Sequence, residues 1–134
     1  QQVLLMGSPN DMEDAKQIVE AVPEGYREHL INSVGQTSIP DAIDLLGACQ
    51  GVVTNDSGLM HVAAATGRPL VALFGPSSPE HTPPLSDHAV TLTHPMICHP
   101  CFQRECPLKH QACLSELSVD EVIQALHTLL EQTD

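Results

Sequence analysis

Short apolar runs alternate with amphipathic stretches along this chain. Five runs have the length and composition of buried strands, at 1–6, 29–34, 52–54, 70–74 and 89–93. Between them, apolar residues recur three and four positions apart, as at 15–22, which is the spacing of one helix face. The alternation predicts an α/β fold with a Rossmann-like, doubly wound parallel sheet and right-handed crossovers.

Local signals set the ends of the predicted helices. Ser38 and Asp41 form a capping-box pattern at the start of one helix. Ser118 and Glu121 form a second one, followed by apolar residues at helical spacing that predict a terminal helix at about 118–132. With 134 residues, the chain fits a single domain.

The composition limits the classes of partner. Hydrophobic residues make up 42% of the chain and aromatic residues only 2%, which predicts a core of Val, Leu, Ile and Ala. Five basic residues against seventeen acidic ones give a net charge of −12, which argues against nucleic acid and anionic lipid as partners. No apolar run approaches the roughly 20 residues that span a bilayer. The first residues lack a charged secretion-signal start, and an odd number of cysteines does not suit a disulfide framework, so we expect a cytoplasmic protein.

The stretch from Gly51 to Pro84 carries the candidate chemistry. Its first strand breaks at Asn55-Asp56-Ser57-Gly58, and a helical pattern opens directly afterwards. A helix that begins where a strand ends directs unpaired N–H groups and the positive end of its dipole at one point, which favours phosphate. The next strand ends in a polar loop at 75–82, on the same rim of the sheet. The pattern predicts a nucleotide-phosphate site.

Several residues of this stretch allow two interpretations. Asp56 either caps the helix or takes part in ligand binding, and the two roles are compatible. Ser57 and Gly58 are candidates to donate N–H groups to phosphate, and Gly58 has no Cβ to obstruct a ligand. His61 is either a core histidine or a ligand contact, and its position one turn into the helix favours contact. The loop at 75–82 is either an ordinary connection or a set of neutral donors.

A second unusual feature is the segment at 98–113, which we call the cysteine segment. It contains Cys98, Cys101, Cys106, His110 and Cys113. These short spacings are of the kind that zinc sites use, and four ligands suffice for tetrahedral Zn²⁺. Because two well-separated ligand pairs are absent, a reduced thiol cluster or a disulfide pair is the competing interpretation.

A resemblance to a known family rests on two long stretches. The chain reads TNDSGLMHVAAATGRPLVALFGPSSPEHTPPL at 54–85 and CHPCFQRECPLKHQACL at 98–114. Together they resemble the ADP-heptose:lipopolysaccharide heptosyltransferases, with the DSGLMH turn and the GPSSP loop at the family's spacing. The resemblance implies the GT-B architecture, in which one domain holds the lipopolysaccharide core acceptor and the other holds ADP-L-glycero-D-manno-heptose. It further implies an inverting transfer without a cofactor, at the cytoplasmic face of the inner membrane of a Gram-negative bacterium.

The resemblance also implies roles for individual residues. The diphosphate and sugar of the donor would be lined by Asp56, Ser57, Gly58, Leu59 and His61. The adenosine would lie near Thr37 and Ser38, with Ser8 beside the same pocket.

The resemblance covers only the last part of a family member. The acceptor domain, the general base and a diphosphate-binding lysine would lie outside this chain, and neither Lys16 nor Lys109 stands at the position of that lysine. We therefore expect an incomplete donor-binding domain that has no catalytic residue and no turnover of its own. The absence of a first strand would also leave an exposed sheet edge, which predicts self-association.

Two other functions stay open at the level of sequence. The first is a zinc-stabilised structural or interaction module built on the cysteine segment, with the DSG turn acting only as a helix start. The second is another GT-B or epimerase-like enzyme that uses a UDP-sugar, since no motif in the sequence identifies the nucleotide base.

Overall fold

The computed structural model describes residues 1–133, which divide into two compact units. The first unit covers 1–44, and the second begins at Leu45. Helix α2 (Ile39–Ala48) contributes residues to both. Each unit carries its own parallel sheet, so the predicted parallel α/β architecture is confirmed, with the strands divided between two sheets. The expectation of a single domain stays a prediction.

The first unit is a β-α-β arrangement. Strands β1 (Val3–Leu5) and β2 (Leu30–Asn32) pair in parallel and flank helix α1 (Met12–Ala21). A 3₁₀ turn at Pro9–Asp11 precedes α1, and another at Glu24–His29 precedes β2. The sequence pattern predicts neither turn. It detects the apolar spacing of an α-helix, and a short 3₁₀ turn does not have that spacing.

The second unit contains the three-stranded sheet. Strand β4 (Leu70–Phe74) lies at its centre, between β3 (Val52–Asn55) and β5 (Ala89–Thr93), and both pairings are parallel. Helix α3 (Gly58–Ala65) connects β3 to β4, whereas β4 reaches β5 through turns and loops. A short helix α4 (Ala112–Ser115) and the long α5 (Val119–Thr133) follow. The predicted last strand and terminal helix are therefore both confirmed.

Both predicted helix caps form. The Ser38 N–H donates to Asp41 Oδ2 at 3.0 Å, and the Asp41 N–H donates to Ser38 Oγ at 3.2 Å, which completes a capping box at the start of α2. The Ser38 hydroxyl and N–H lower the pKa of Asp41. At the start of α5, the Glu121 N–H donates to Ser118 Oγ at 3.3 Å.

The core of the second unit is built mainly from Ala, Leu and Val, as the composition predicts, but it also contains a phenylalanine and a methionine and no buried isoleucine among the described residues. Phe74, Met60, Leu70 and Val71 are its largest fully buried apolar side chains apart from proline. Helix α5 packs closely on the loop before β3, because a Cβ at Gly51 would lie 2.9 Å from Leu126 Cδ1. Within the described residues, every helix is too short or too polar to cross a bilayer.

Candidate functional site

The turn between β3 and α3 leaves a group of backbone donors without partners. Ser57 is the N-cap residue of α3, has an extended backbone (φ −156°), and forms no side-chain cap. Its carbonyl accepts the Met60 N–H at 3.1 Å. Within residues 1–133, no oxygen accepts a hydrogen bond from the N–H groups of Ser57, Gly58 or Leu59. Three donors thus lie at the positive end of the α3 dipole, which is an arrangement suited to an anion.

The same turn is open to solvent. Gly58 is exposed, and Ser57 and Leu59 are half-buried. No heavy atom lies within 4 Å of the position that a Cβ on Gly58 would occupy. His61 is exposed as well, so its interpretation as a core histidine is wrong. Its contact with a ligand stays a prediction.

The structure corrects the interpretation of Asp56 as a helix cap. The Asp56 N–H donates to Leu73 O on β4, at 3.2 Å. The carboxylate accepts the Thr82 hydroxyl, whose Oγ1 lies 3.3 Å from each carboxylate oxygen. Asp56 therefore binds the neighbouring loop instead of the amides of α3. This contact joins residues 26 positions apart, so no local spacing in the sequence could have revealed it.

The loop after β4, residues 75–82, is ordered by its own hydrogen bonds; we call it the second loop. Ser78 is buried, and its hydroxyl accepts the Glu80 N–H at 3.2 Å. The Ser78 carbonyl accepts the N–H groups of His81 at 3.1 Å and Thr82 at 3.3 Å. These bonds form a compact turn that holds the Thr82 hydroxyl at the Asp56 carboxylate.

The cysteine segment packs directly on the second loop. The Phe102 N–H donates to Pro76 O at 2.8 Å. His99 Nδ1 lies 2.6 Å from Gly75 O, so this nitrogen carries the proton and donates it. The rings of Phe102 and His81 meet edge to face, with centroids 5.2 Å apart. Sequence reasoning missed this support, because the residues in contact are more than 20 positions apart along the chain.

The cysteines of this segment surround one cavity. It measures about 270 Å³ and is lined by Cys98, Cys101, Cys106 and Cys113, with His110 also at its wall. All five cysteines of the chain are free and half-buried. Within residues 1–133, no three His, Cys, Asp or Glu side chains already converge closely enough to hold a metal ion.

The two last cysteines of the segment have different electrostatic environments. Backbone N–H groups of the residues that follow Cys106, the Gln111 N–H foremost, donate to its sulfur and lower its pKa. Burial raises the pKa of Cys113, and the neighbouring thiols of Cys101 and Cys106 raise it further.

The remaining predicted site residues lie in the first unit. There, the Gly35 N–H donates to Gly7 O at 3.0 Å, which brings together the loops that follow β1 and β2. Ser8 is exposed, and both its N–H and its hydroxyl donate to Asp11 Oδ2 at 2.8 Å. Thr37 is half-buried, and Ser38 belongs to the capping box of α2. Their position near an adenosine stays a prediction.

Comparison with known proteins gives consistent matches. Residues 1–112 match the family model of glycosyltransferase family 9 (heptosyltransferase). The chain is 52% identical over 90 residues to lipooligosaccharide heptosyltransferase 2 of Haemophilus influenzae, covering 67% of this chain and 26% of that protein. It is 40% identical over 133 residues to lipopolysaccharide heptosyltransferase 2 of Escherichia coli, covering 99% of this chain and 38% of that protein.

A solved structure gives the same match in three dimensions. The structure of E. coli ADP-heptose lps heptosyltransferase II superposes with a TM-score of 0.83 at 40% identity, over 98% of this chain and 37% of that one. The chain thus spans between about a quarter and two fifths of the length of these relatives.

Proposed function

This chain belongs to glycosyltransferase family 9, the heptosyltransferases, and we propose that it forms the donor-binding part of an inverting enzyme that adds heptose to the inner core of lipopolysaccharide. The donor would be ADP-L-glycero-D-manno-heptose, and one of the relatives described above is the E. coli ADP-heptose lps heptosyltransferase II. A lipopolysaccharide core acceptor and the general base would be held by residues outside these 134.

One observation carries the proposal: the N–H groups of Ser57, Gly58 and Leu59 are free at the exposed start of α3. The only basic residue between 51 and 85 is Arg68, and the chain has a net charge of −12. A diphosphate would therefore be bound mainly by backbone donors and the helix dipole, which attract an anion without a lysine.

The side chains around the turn would bind different parts of the donor. Asp56 is an acceptor when ionised, so it suits the hydroxyl groups of a sugar and not a phosphate. Thr82 would hold the Asp56 carboxylate in place from the second loop. His61 is exposed one turn into α3 and would donate to a phosphate oxygen, stabilising negative charge on the departing ADP. On the family resemblance alone, Thr37, Ser38 and Ser8 are kept as candidate contacts of the adenosine.

The reaction would be a direct displacement at the anomeric carbon of the heptose. An acceptor hydroxyl attacks, the general base takes its proton, and ADP leaves with the electron pair of the broken glycosidic bond. The acceptor is part of a membrane lipid, so we place the enzyme at the cytoplasmic face of the inner membrane. Because the base would lie outside this chain, we expect the chain to bind donor without turnover.

Isothermal titration calorimetry tests the donor assignment. We expect ADP to bind to this chain at least about tenfold more tightly than UDP, a difference of about 1.4 kcal/mol. Equal affinities would support the alternative that the enzyme uses a UDP-sugar. No binding of either nucleotide would contradict a donor site in this chain.

A transfer assay with ADP-heptose and a heptosyl-Kdo₂-lipid A acceptor tests the incomplete site. We expect no product above a protein-free control. Robust transfer by these 134 residues alone would show that the general base lies within them.

A further inference from the structure

We propose that the cysteine segment binds one Zn²⁺ through Cys98, Cys101, Cys106 and Cys113. These four residues line a single cavity of about 270 Å³, and no other part of the described chain gathers several thiols. The fifth cysteine, Cys49, follows helix α2 and is not at this cavity.

Four thiolates would complete the tetrahedral set that structural zinc sites use. His110 also lines the cavity, but its Nδ1 accepts the Ala112 N–H at 3.0 Å and so caps the start of α4. The geometry therefore favours four sulfur ligands over three sulfurs and an imidazole.

The backbone of the segment indicates a need for such a crosslink. Residues 94–111, between β5 and α4, contain neither helix nor strand. Phe102, Lys109 and Gln111 have positive φ angles of 55°, 61° and 50°, which are costly for residues other than glycine. Phe102 and Leu108 are also more than half exposed, so apolar packing does little to fix these residues. A bound metal would supply the stabilisation that regular structure and burial do not.

Binding requires the thiols to move towards one another. No three potential ligands within residues 1–133 converge on a point as the structure stands. Because residues 94–111 contain neither helix nor strand, Cys98, Cys101 and Cys106 can move across the cavity towards Cys113, which lies on α4. Each thiol would lose its proton to solvent as it binds the ion. The zinc would then fix the cysteine segment against the second loop, through the contacts of His99 and Phe102 described above.

A titration of the reduced, chelator-treated chain with Co²⁺ and then Zn²⁺ tests the proposal. We expect one Co²⁺ per chain, with the absorption bands of a tetrahedral thiolate complex, and its displacement by Zn²⁺. Zinc should protect four of the five thiols from a thiol-reactive dye and leave Cys49 reactive. It should also raise the midpoint of thermal unfolding by roughly 5–10 °C, since the ion binds only the folded chain.

Serine variants locate the ligands. We expect Cys101→Ser and Cys113→Ser each to weaken zinc binding at least about 100-fold. The matched control Cys49→Ser should bind zinc as the parent chain does, and His110→Ala should keep the cobalt spectrum.

The proposal fails if the parent chain binds less than one ion, or if all five thiols stay reactive in zinc. It also fails if Cys49→Ser weakens binding as much as Cys101→Ser. These readouts do not involve ADP, so they are independent of the proposed donor site.

Discussion

Among single residues, Gly58 is the position where size matters most for the proposed donor site. A Cβ at Gly58 would meet no heavy atom of the chain within 4 Å, so Gly58→Ala should fold normally. The added methyl group would occupy the space where a diphosphate approaches the free amides. We expect Gly58→Ala to weaken ADP binding about tenfold in calorimetry, which is about 1.4 kcal/mol.

The matched control for this change is Gly47→Ala in helix α2. A Cβ at Gly47 would likewise meet no heavy atom within 4 Å, and the replacement should leave ADP affinity unchanged. Alanine is the better helix former, so this variant should be at least as stable as the parent. If both variants bind ADP like the parent chain, the amides of this turn do not hold the diphosphate.

Thr82 is a second single residue on which donor binding should depend, through its hydroxyl group. It donates to Asp56, and Thr82→Val keeps the shape of the side chain while removing the donor. A carboxylate freed from this bond would sample more orientations, so we expect ADP-heptose to bind roughly three- to tenfold more weakly. Thr82→Ser restores the hydroxyl and should restore the affinity. Equal binding by the valine and serine variants would show that the contact does not position Asp56.

Between elements, α4 packs closely against the second loop at Gly75. A Cβ at Gly75 would lie 2.6 Å from Leu114 Cγ, which is too close for the side chain to accommodate by a small rotation. We expect Gly75→Ala to lower the free energy of unfolding by about 1–3 kcal/mol, measured by urea denaturation. In the double variant Gly75→Ala/Leu114→Ala the clash is gone, so its loss should be smaller than the sum of the two single losses. Strictly additive losses would contradict a direct contact.

The capping box should make the stability of helix α2 depend on pH. The pKa of Asp41 is lowered from 3.8 by the hydroxyl and N–H of Ser38, so the folded chain favours the ionised carboxylate. The resulting stabilisation is present above the unfolded pKa and is lost as pH falls through the lower folded pKa. We expect Asp41→Asn to lower the urea midpoint at pH 7, with the difference from the parent shrinking below pH 3.8. A difference that is constant with pH would exclude this origin.

How far the sequence predicts the structure depends on the range of the interaction. The capping box at Ser38, the side-chain cap by Ser118, the helix α5 and the open turn at Gly58 were all predictable, because they depend on residues within four positions of each other. The reciprocal bond predicted from Glu121 to Ser118 is not among those of the described residues. The partner of Asp56 was not, because a carboxylate that follows a strand can cap the next helix or reach a neighbouring loop with the same local sequence. Only the folded sheet, which places β3 beside β4, decides between the two.

At the scale of the whole molecule, the predicted self-association depends on a strand edge that is left unpaired. Strand β3 pairs only with β4 among the described strands, and Val53 on it is 46% exposed. An unpaired edge can add a strand from a second copy, whereas a net charge of −12 opposes the approach of two copies. Salt screens that repulsion, with a Debye length of about 10 Å at 0.1 M and about 3 Å at 1 M. We therefore expect the average mass in light scattering to rise with protein concentration, and to rise further in 1 M salt.

A charged residue on the edge should separate strand pairing from non-specific contact. Val53→Lys places a charge on β3, and edge lysines oppose strand addition. Ile123→Lys on α5 is the matched control, since it replaces an aliphatic residue of similar exposure, 50%, and changes the net charge by the same amount. Because both variants reduce the acidic repulsion equally, only pairing through β3 predicts that Val53→Lys associates less than Ile123→Lys. Equal association of the two variants would mean that copies meet through another surface, and a single mass at all concentrations would mean that the β3 edge does not pair at all.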